Sequence, residues 1–279
     1  MTAIDPRPRH ERASPVAGRL SIGLFAAIAH VLRHQWMRVR RVWWSAIING
    51  LAQPTLFLLA IGGGIGTQID DAELARLGTG SYLAWIGPGI LAVNAMQISA
   101  QEAMWPTMGL LKWQGSYRAI LHTPLEVGQL GVAHLTFIAA RAVVSATCFL
   151  AVLLVAGVAE SWWVLGVPVV AALIAFVFAG PIVALSAWLD MDHVFPALQR
   201  LIVFPLFIFS GAFFPVDEMP TAVAAVARAT PSWHGVQLAR DLTAGRLDGD
   251  TLGHLVLLVG LAMIGLWLTR LSFVRNVRP

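Results

Sequence analysis

This sequence has little charge: only 12% of its 279 residues are Asp, Glu, Lys or Arg, whereas 57% are hydrophobic. Soluble domains carry about twice that charged fraction, roughly 25%. A soluble fold of this length could not cover so much apolar surface with polar groups. The composition therefore excludes an ordinary soluble domain and predicts a protein that has lipid as its solvent.

Cysteine, too, is almost absent. The single Cys148 lies inside an apolar run, so it cannot form an internal disulfide and carries no information on the redox compartment. The net charge of +4 would suit a nucleic-acid partner, but the basic residues are scattered between apolar runs and form no basic stripe. We therefore predict neither a disulfide-stabilised domain nor a nucleic-acid-binding domain.

The sequence also lacks a nucleotide-binding motif. It contains no G-x-x-x-x-G-K-[ST] phosphate loop, and its only lysine, Lys112, does not follow glycines in that pattern. The glycine cluster Gly62–Gly66 closes an apolar run, and no lysine follows it. The chain cannot hydrolyse ATP by that machinery, so if ATP drives it, another polypeptide must bind the nucleotide.

Metal and catalytic motifs are missing as well. The eight histidines are dispersed and show neither an H-E-x-x-H motif nor a paired Cys–His spacing. Asp190, Asp192 and His193 lie close together, but they fall in a short turn between apolar runs, where solvated polar residues are expected. The sequence predicts no catalytic residue, no metal site and no cofactor in this chain.

Long apolar runs, in contrast, are abundant. A helix crosses a bilayer with about 20 mostly apolar residues. The six predicted spans are Trp44–Gly66, Tyr82–Met104, Leu130–Gly157, Val164–Leu189, Phe195–Phe214 and Leu252–Phe273. Continuous runs, rather than ten-residue alternations, favour helices over strands. The sequence therefore predicts an all-α polytopic membrane protein with one six-helix domain over residues 44–279.

The distribution of basic residues predicts the orientation. With six spans both termini lie on the same side, and fourteen Lys and Arg residues then fall on that side against four on the other. Most loop carboxylates fall on the side that has few basic residues. Because cytoplasmic loops carry the excess of Lys and Arg, we expect both termini in the cytoplasm and the protein in the plasma membrane.

The residues before the first span divide into two segments. Residues 1–20 are rich in Pro and Arg and are predicted to be a disordered tail. Residues 21–43 are predicted to form an amphipathic helix capped by Ser21. Its apolar stripe would be Ile22, Phe25, Ala29, Leu32, Trp36, Val39 and Trp43. Such a helix can lie in the inner headgroup layer with its arginines on anionic lipid, or it can pack on other protein.

The segment between the second and third spans, Pro106–Pro124, is cytoplasmic by this topology and ends at a proline. Its apolar residues near helical spacing are Leu110, Leu111, Trp113, Tyr117, Ile120 and Leu121. The pattern predicts a short amphipathic helix that a partner ATPase could hold. An interfacial helix without a partner is the alternative.

The outer segment Ser210–Gly245 is too long for a tight turn and too hydrophobic for a mobile loop. Two helices are predicted in it, over Thr221–Thr230 and Ser232–Ala244, separated by Pro231. Its apolar residues Phe213, Phe214 and Met219 suggest that the chain dips back into the outer leaflet. A gate on the outer face and a purely structural cap both fit this pattern.

Several polar residues fall inside predicted spans. Asn49 and Gln53 lie one turn apart, and Asn94, Gln97 and Gln101 share a helix face. Arg141 lies within the third span with His134 on the same face, and Glu102 is a candidate partner for Arg141. Intramembrane ionisable residues are functional candidates because their burial is costly. The alternative is hydrogen bonding that only holds the helices together.

At this point the residues resemble those of the type-2 ABC exporter permeases, especially the branch with the nodulation-factor and anthracycline-resistance permeases. The matching segments are FSGAFFPVDEMP (Phe209–Pro220), ATPSWHGVQLARDLTAG (Ala229–Gly245), QPTLFLLAIGGGIG (Gln53–Gly66), SYLAWIGPGILAVNAM (Ser81–Met96) and YRAILHTPL (Tyr117–Leu125). The second segment matches the family's pattern of a Pro, a His and an Arg before a closing Gly, here Pro231, His234, Arg240 and Gly245. The family often has Phe-Glu near the end of the second span; Gln101-Glu102 stands here, so only Glu102 is carried over.

The resemblance implies a dimer of six-helix permeases with two ATPase subunits that bind ATP and Mg on the cytoplasmic side. We predict that the two permeases are copies of this chain. It implies that residues 106–124 hold a coupling helix and that Ser210–Gly245 forms outer re-entrant helices. The expected coupling residues are Leu110, Trp113, Tyr117, Arg118 and Leu121. The expected pathway residues are Asn49, Gln53, Asn94, Gln97, Gln101, Glu102 and Arg141. The expected outer-gate residues are Phe213, Phe214, Pro215, Pro231, His234 and Arg240.

The function that follows is export of a lipophilic or amphipathic substrate, such as a lipid-linked sugar, a glycolipid or a drug, powered by a separate ATPase. Two alternatives stay open. An ion-coupled secondary transporter would need no ATPase, although no acid in mid-span is available to relay protons. A membrane scaffold would bind the partner without transporting anything.

Overall fold

The computed structural model of the chain describes residues 23–41, 52, 55–56, 58–60, 64, 70–120, 123, 125–158 and 161–277. Every regular element within these residues is helical, as predicted. The predicted tail at residues 1–20 lies outside them, as does most of the first predicted span.

The α-helices occur in the following order along the described chain. They are α1 (Leu24–Val39), α2 (Asp71–Leu77), α3 (Tyr82–Ala103), α4 (Trp105–Met108), α5 (Ser116–Ile120), α6 (Val127–Val155), α7 (Val167–Trp188), α8 (Phe195–Leu198), α9 (Phe204–Ile208), α10 (Thr221–Arg228), α11 (Pro231–Ala244) and α12 (Gly249–Asn276). The π-helical turn Gly109–Trp113 follows α4, and another, Gln199–Val203, joins α8 to α9. Short 3-10 turns precede α7 (Trp162–Gly166) and α10 (Val216–Glu218).

Within the described residues, four helical stretches are long and apolar enough to cross a bilayer. They run Tyr82–Trp113, Val127–Val155, Trp162–Trp188 and Gly249–Asn276. These stretches coincide with the second, third, fourth and sixth predicted spans. The total of six spans stays a prediction, because the first lies largely outside the described residues and the fifth is shorter than expected.

The fifth predicted span was expected to reach Phe214, and that expectation is wrong. Its helix runs Phe195–Ile208 and is too short to count among the bilayer-length stretches. The chain then turns, with Gly211 at a φ of 78°, a left-handed conformation that glycine adopts without a steric penalty. A continuous apolar run does not reveal such a turn, because residues around it such as Phe209, Ala212 and Phe213 are as apolar as those of the helix before it.

Helices α7 and α12 pack at very short distance. A Cβ atom added at Gly180 would lie 2.5 Å from the Cα of Gly265, so only glycine fits there. The Thr269 hydroxyl donates to the Gly180 carbonyl at 3.0 Å, and the Ser272 hydroxyl donates to the Ala184 carbonyl at 2.7 Å. Small residues and side-chain hydroxyl bonds of this kind are what holds helices together in lipid.

Helix α3 lies inside the bundle and α12 at its periphery. In the most apolar window of each stretch, 72% of the residues of Tyr82–Trp113 are buried, against 22% for Gly249–Asn276. The Ser186 hydroxyl on α7 donates to the Ala103 carbonyl at 2.7 Å and so holds the end of α3. Large apolar side chains on α12, such as Val256 and Met263, are exposed, as expected for a protein whose outer surface meets lipid.

Helix α1 uses a different face for packing than its apolar stripe. Ala27, Val31 and Gln35 are buried against the bundle, whereas Phe25 is 87% exposed and Trp36 is 61% exposed. The prediction of Ser21 as the cap is wrong, because the helix begins at Leu24 with Gly23 in the capping position and without a side-chain capping bond. Of the predicted apolar stripe, Phe25, Ala29 and Trp36 are exposed and Leu32 is half-buried, so this part of the stripe is not the face that packs on the bundle.

Candidate functional site

The segment predicted as one coupling helix consists of two helical pieces. Its first part prolongs the stretch Tyr82–Trp113, and its second part is the five-residue α5. Gly115 lies between them at a φ of 62°, and this left-handed residue breaks the helix. The second span and the first half of the coupling segment therefore belong to one helical stretch, in which Met104 separates α3 from α4.

The predicted coupling residues occupy different environments. Trp113, at the end of the long stretch, is 59% exposed, whereas Leu110 and Tyr117 are buried. The side chain of Arg118 and all of Leu121 lie outside the described residues. Among the predicted coupling side chains that the structure describes, Trp113 is therefore the one available for direct contact.

Tyr117 belongs to a buried chain of hydrogen bonds that joins five helices. Gln35 Nε2 on α1 donates to the Tyr117 hydroxyl at 2.5 Å, and that hydroxyl lies 2.6 Å from His134 Nδ1 on α6. His134 Nε2 lies 2.8 Å from the Thr107 hydroxyl on α4, which donates to the Glu102 carbonyl at 2.9 Å. We name these five residues the inner hydrogen-bond chain.

One arrangement of protons satisfies every bond of the inner hydrogen-bond chain. Since the Thr107 hydroxyl donates to Glu102, it accepts from His134 Nε2, which must carry a hydrogen. His134 Nδ1 is then an acceptor for the Tyr117 hydroxyl, whose oxygen accepts from Gln35. In this arrangement the imidazole, with its proton on Nε2, joins α1, α5 and α6 to the end of the second span that carries Glu102.

The predicted pairing of Glu102 with Arg141 is confirmed. The Arg141 guanidinium on α6 forms a salt bridge and hydrogen bond with the Glu102 carboxylate, and both side chains are partly buried. Removing one partner of an ion pair in a low-dielectric environment strongly destabilises the protein, because the other charge is left uncompensated. The pair lies next to the inner hydrogen-bond chain, since Glu102 belongs to both through its carbonyl and its carboxylate.

The three polar residues on one face of α3 contact different neighbours. Asn94 Nδ2 donates to the Ser145 hydroxyl on α6 at 3.3 Å, and Gln97 Oε1 accepts from Gln199 Nε2 at 3.2 Å. Gln101 is exposed. Gln199 Oε1 is buried and has no hydrogen-bond partner within the described part of the chain. The predicted pathway residues Asn49 and Gln53 lie outside the described residues.

The outer segment forms two helices nearly as predicted. Helix α10 ends two residues earlier than expected, at Arg228, and α11 begins at Pro231 instead of after it. Proline is tolerated in the first turn of a helix, where its missing N–H has no intrahelical partner. The Thr230 hydroxyl caps α11 by accepting from the Trp233 N–H.

Arg240 of α11 holds the outer segment to the second span. Its Nε donates to the Trp85 carbonyl at 3.0 Å and one terminal nitrogen donates to the Gly211 carbonyl at 2.8 Å. The guanidinium also lies 4.0 Å from the centre of the Trp85 ring, a cation–π contact. Burial lowers the pKa of Arg240 to about 9, while Tyr82 and Asp241 act in the opposite direction.

The remaining predicted gate residues fall in the same region. Phe213 packs on Phe207 with ring centres 4.9 Å apart, whereas Phe214 is more exposed and Pro215 precedes the 3-10 turn. His234 Nδ1 lies 2.8 Å from Nδ1 of His254 on α12. Burial, and then the neighbouring His254, lowers the pKa of His234.

Sequence patterns did not identify Gln35, Thr107 or Trp85 as site residues. Gln35 and Tyr117 are 82 positions apart, and Arg240 and Trp85 are 155 apart. Local periodicity carries no information on contacts at such separations. In the described residues no group of three or more His, Cys, Asp or Glu side chains is placed to hold a metal ion.

The bilayer-length helices and the polar contacts between them define a multi-pass membrane protein. The chain belongs to the ABC-2 type transporter family, whose model matches residues 26–243. It is therefore the membrane permease of an ABC transporter, a non-catalytic subunit, and family membership implies a separate ATPase subunit as its partner.

Curated relatives are similar over most of their length. Nodulation protein J of Rhizobium meliloti (strain 1021) is 29% identical over 218 residues, which cover 77% of this chain and 80% of that protein. Nodulation protein J of Rhizobium leguminosarum bv. trifolii is 26% identical over 80% of this chain and 84% of that protein. Nodulation protein J of Neorhizobium galegae is 25% identical over 85% of this chain and 88% of that protein.

Proposed function

We propose that this permease exports an amphipathic or lipophilic substrate, such as a lipid-linked sugar, a glycolipid or a drug, from the cytoplasm or the inner leaflet. Two copies of the chain would form the membrane unit, and two ATPase subunits would bind and hydrolyse ATP with Mg on its cytoplasmic side. The excess of basic residues on one side supports cytoplasmic termini.

The inner hydrogen-bond chain is the observation that carries this proposal. Trp113 offers an exposed contact at the end of a helical stretch that is continuous with the second span. Tyr117, in α5 just beyond it, is bonded through His134 and Thr107 to the residue that pairs with Arg141. A displacement imposed by an ATPase at Trp113 would therefore reach the bundle interior.

For the pathway we propose the polar face of α3, with Asn94, Gln97 and Gln101, together with the Glu102–Arg141 pair. Asn49 and Gln53 remain predicted members of the same wall. The buried Gln199 oxygen next to Gln97, which has no partner among the described residues, supports a polar lining at this level, because a buried unpaired acceptor is costly.

For the outer gate we propose the turn at residues 209–220 with α10 and α11. Arg240 is bonded to the carbonyls of Gly211 and, at 3.3 Å, Ala212, so movement of α11 would pull on the turn. The proposed members are Phe213, Phe214, Pro215, Pro231, His234 and Arg240.

The test is transport in vesicles that contain the permease with its co-expressed ATPase. We expect a fluorescent short-chain glucosylceramide to be moved only with both the ATPase and ATP present. Movement driven by an ion gradient without the ATPase would instead identify a secondary transporter, and ATPase binding without movement of this or other amphipathic probes would identify a scaffold.

The Trp113→Ala variant tests the coupling contact. We expect it to lose most ATPase co-purification and ATP-dependent transport, because an exposed aromatic side chain is a typical anchor of a protein interface. Trp162→Ala is the matched control, since Trp162 is also highly exposed but precedes α7. Equal loss in both variants would contradict a specific role for Trp113.

A further inference from the structure

The short fifth helix carries an arginine on the surface of the bundle. Arg200 lies in the π-helical turn Gln199–Val203, it is exposed, and it forms no hydrogen bond or ion pair with the part of the chain that the structure describes. The exposed side chains next to it in this helix are apolar, with Leu201 74% and Phe204 51% exposed. An unpaired charge therefore lies on an otherwise apolar surface.

The depth of Arg200 in the membrane follows from its neighbour Gln199. Gln199 Nε2 donates to Gln97 Oε1 at 3.2 Å, and Gln97 is 15 residues from Tyr82 and 16 from Trp113, the two ends of a 32-residue stretch. That stretch is about 48 Å long at 1.5 Å per residue. A hydrocarbon core of about 30 Å includes the middle of the stretch wherever the core lies along it. Arg200, which follows Gln199 in the chain, therefore lies at hydrocarbon depth.

Lipid is an unfavourable neighbour for a charged side chain at this depth. Arginines within membrane spans normally pair with another group, face the interior of the bundle, or line a water-filled cavity. Arg200 is exposed and has no partner in the described chain, so a water-filled cavity is the environment that remains. A second copy of the chain would close such a cavity, and a two-fold axis would bring Arg200 of both copies to the same level.

The second copy has no carboxylate to spare at this depth. Of the 15 acidic residues in the sequence, only Glu102 falls within the six predicted spans, and it forms a salt bridge with Arg141. Two arginines at the same level would repel each other, and more strongly than in water because the dielectric constant is low. The negative charge that balances them is therefore not supplied by the permease.

We propose that Arg200 lines the transport pathway between two copies of this chain and binds a phosphate, sulfate or carboxylate group of the exported amphiphile. The inference rests on the proposed function, because it takes the dimeric exporter as given. It adds a preference for substrates that carry an anionic group. The exposed Leu201 and Phe204 are placed to contact the hydrocarbon part of the same molecule.

Two probes that differ by one sulfate group test this preference. They are a fluorescent short-chain galactosylceramide and its sulfate ester, and their ATP-dependent transport is measured in phosphatidylcholine vesicles that contain the permease with its co-expressed ATPase. We expect kcat/KM to be at least about tenfold higher for the sulfated probe, the difference that one charge-assisted hydrogen bond provides. Equal values for the two probes would overturn the anion site.

The Arg200→Gln variant removes the charge and keeps a polar side chain. We expect kcat/KM of the sulfated probe to fall at least about tenfold and that of the uncharged probe to change little. Arg200→Lys keeps the charge and should retain most of the preference. The matched control is Arg275→Gln, which removes an exposed charge at the end of α12 and should leave both probes unaffected.

The ratio of the two probes separates substrate binding from a structural role of Arg200. An equal loss of transport for both probes in Arg200→Gln would indicate that the arginine supports folding or binds a membrane lipid, and would refute the proposal. The same selective loss in Arg275→Gln would refute it as well, because the effect would then not depend on the position of the charge.

Equilibrium binding of both probes to the purified full-length permease in neutral maltoside detergent allows the two proposals to fail independently. Tighter binding of the sulfated probe that is lost in Arg200→Gln, without ATP-dependent transport of either probe, would defeat the exporter and leave the anion site standing. ATP-dependent transport of both probes with equal kcat/KM would defeat the anion site and leave the exporter standing.

Discussion

The buried hydroxyl of Tyr117 offers a sharp test of the inner hydrogen-bond chain. Tyr117→Phe keeps the ring, which packs edge-on against His134 at 5.4 Å between ring centres, and removes only the oxygen. That oxygen is shared by the bonds to Gln35 and His134. Loss of two buried hydrogen bonds, at about 1–2 kcal/mol each, predicts a destabilisation of about 2–4 kcal/mol.

The control is the only other tyrosine in the sequence, Tyr82. Its hydroxyl makes one long contact, 3.5 Å, to the Phe213 carbonyl, so Tyr82→Phe should cost at most about 1 kcal/mol. The assay is reversible unfolding of the detergent-solubilised permease by titration with a denaturing detergent. Destabilisation of the two variants by the same amount would refute the assigned network.

The same variant has a functional readout that a stability defect alone does not explain. We expect Tyr117→Phe to bind the ATPase through Trp113 but to transport less per ATP hydrolysed, because α5 is no longer bonded to His134. The transport-to-hydrolysis ratio of the folded fraction measures this loss. An unchanged ratio would refute the role of the inner hydrogen-bond chain in coupling while leaving its role in stability intact.

Two further predictions concern packing and pH. Gly180→Ala should destabilise the permease by about 1–3 kcal/mol, since its Cβ would meet the α12 backbone. Gly260→Ala, in open space on α12, should not destabilise it, and equal melting temperatures of these two variants would contradict the close approach. Because the folded-state pKa of His234 is lowered, the unfolded chain binds its proton more readily, and stability should be full above the unfolded pKa of about 6.5 and fall as the pH drops below it. His234→Gln should reduce the fall of the melting temperature between pH 7.5 and pH 5.5. The same pH dependence in the variant and the unchanged protein would contradict the prediction.

The sequence predicted some contacts because an energetic requirement pointed to them. Arg141 lies in an apolar run, and a charge there requires a partner. Glu102, near the end of the second span, was the candidate, and the structure pairs the two residues. The helices of the outer segment were predicted to within a few residues because Pro231 marks a boundary that local sequence is sufficient to define.

Other features could not be predicted from the sequence. The apolar stripe of α1 was identified, but its orientation was not, because periodicity shows which residues share a face and does not show what covers that face. The end of the fifth helix at Ile208 depends on the turn at Gly211. Tyr117 looked like a surface contact, but packing places it in the interior.

The sequence by itself determined that this protein lies in lipid, which follows from its composition, and that any ATP that drives it must be bound by another polypeptide, because the chain has no phosphate loop. The tertiary structure alone decided that Gln35, Tyr117 and His134 meet and that Arg200 is exposed at the depth of Gln97. The physical reason is that solvent preference and helical periodicity are local properties of the chain, whereas a hydrogen bond or the exposure of a side chain depends on how separate helices pack.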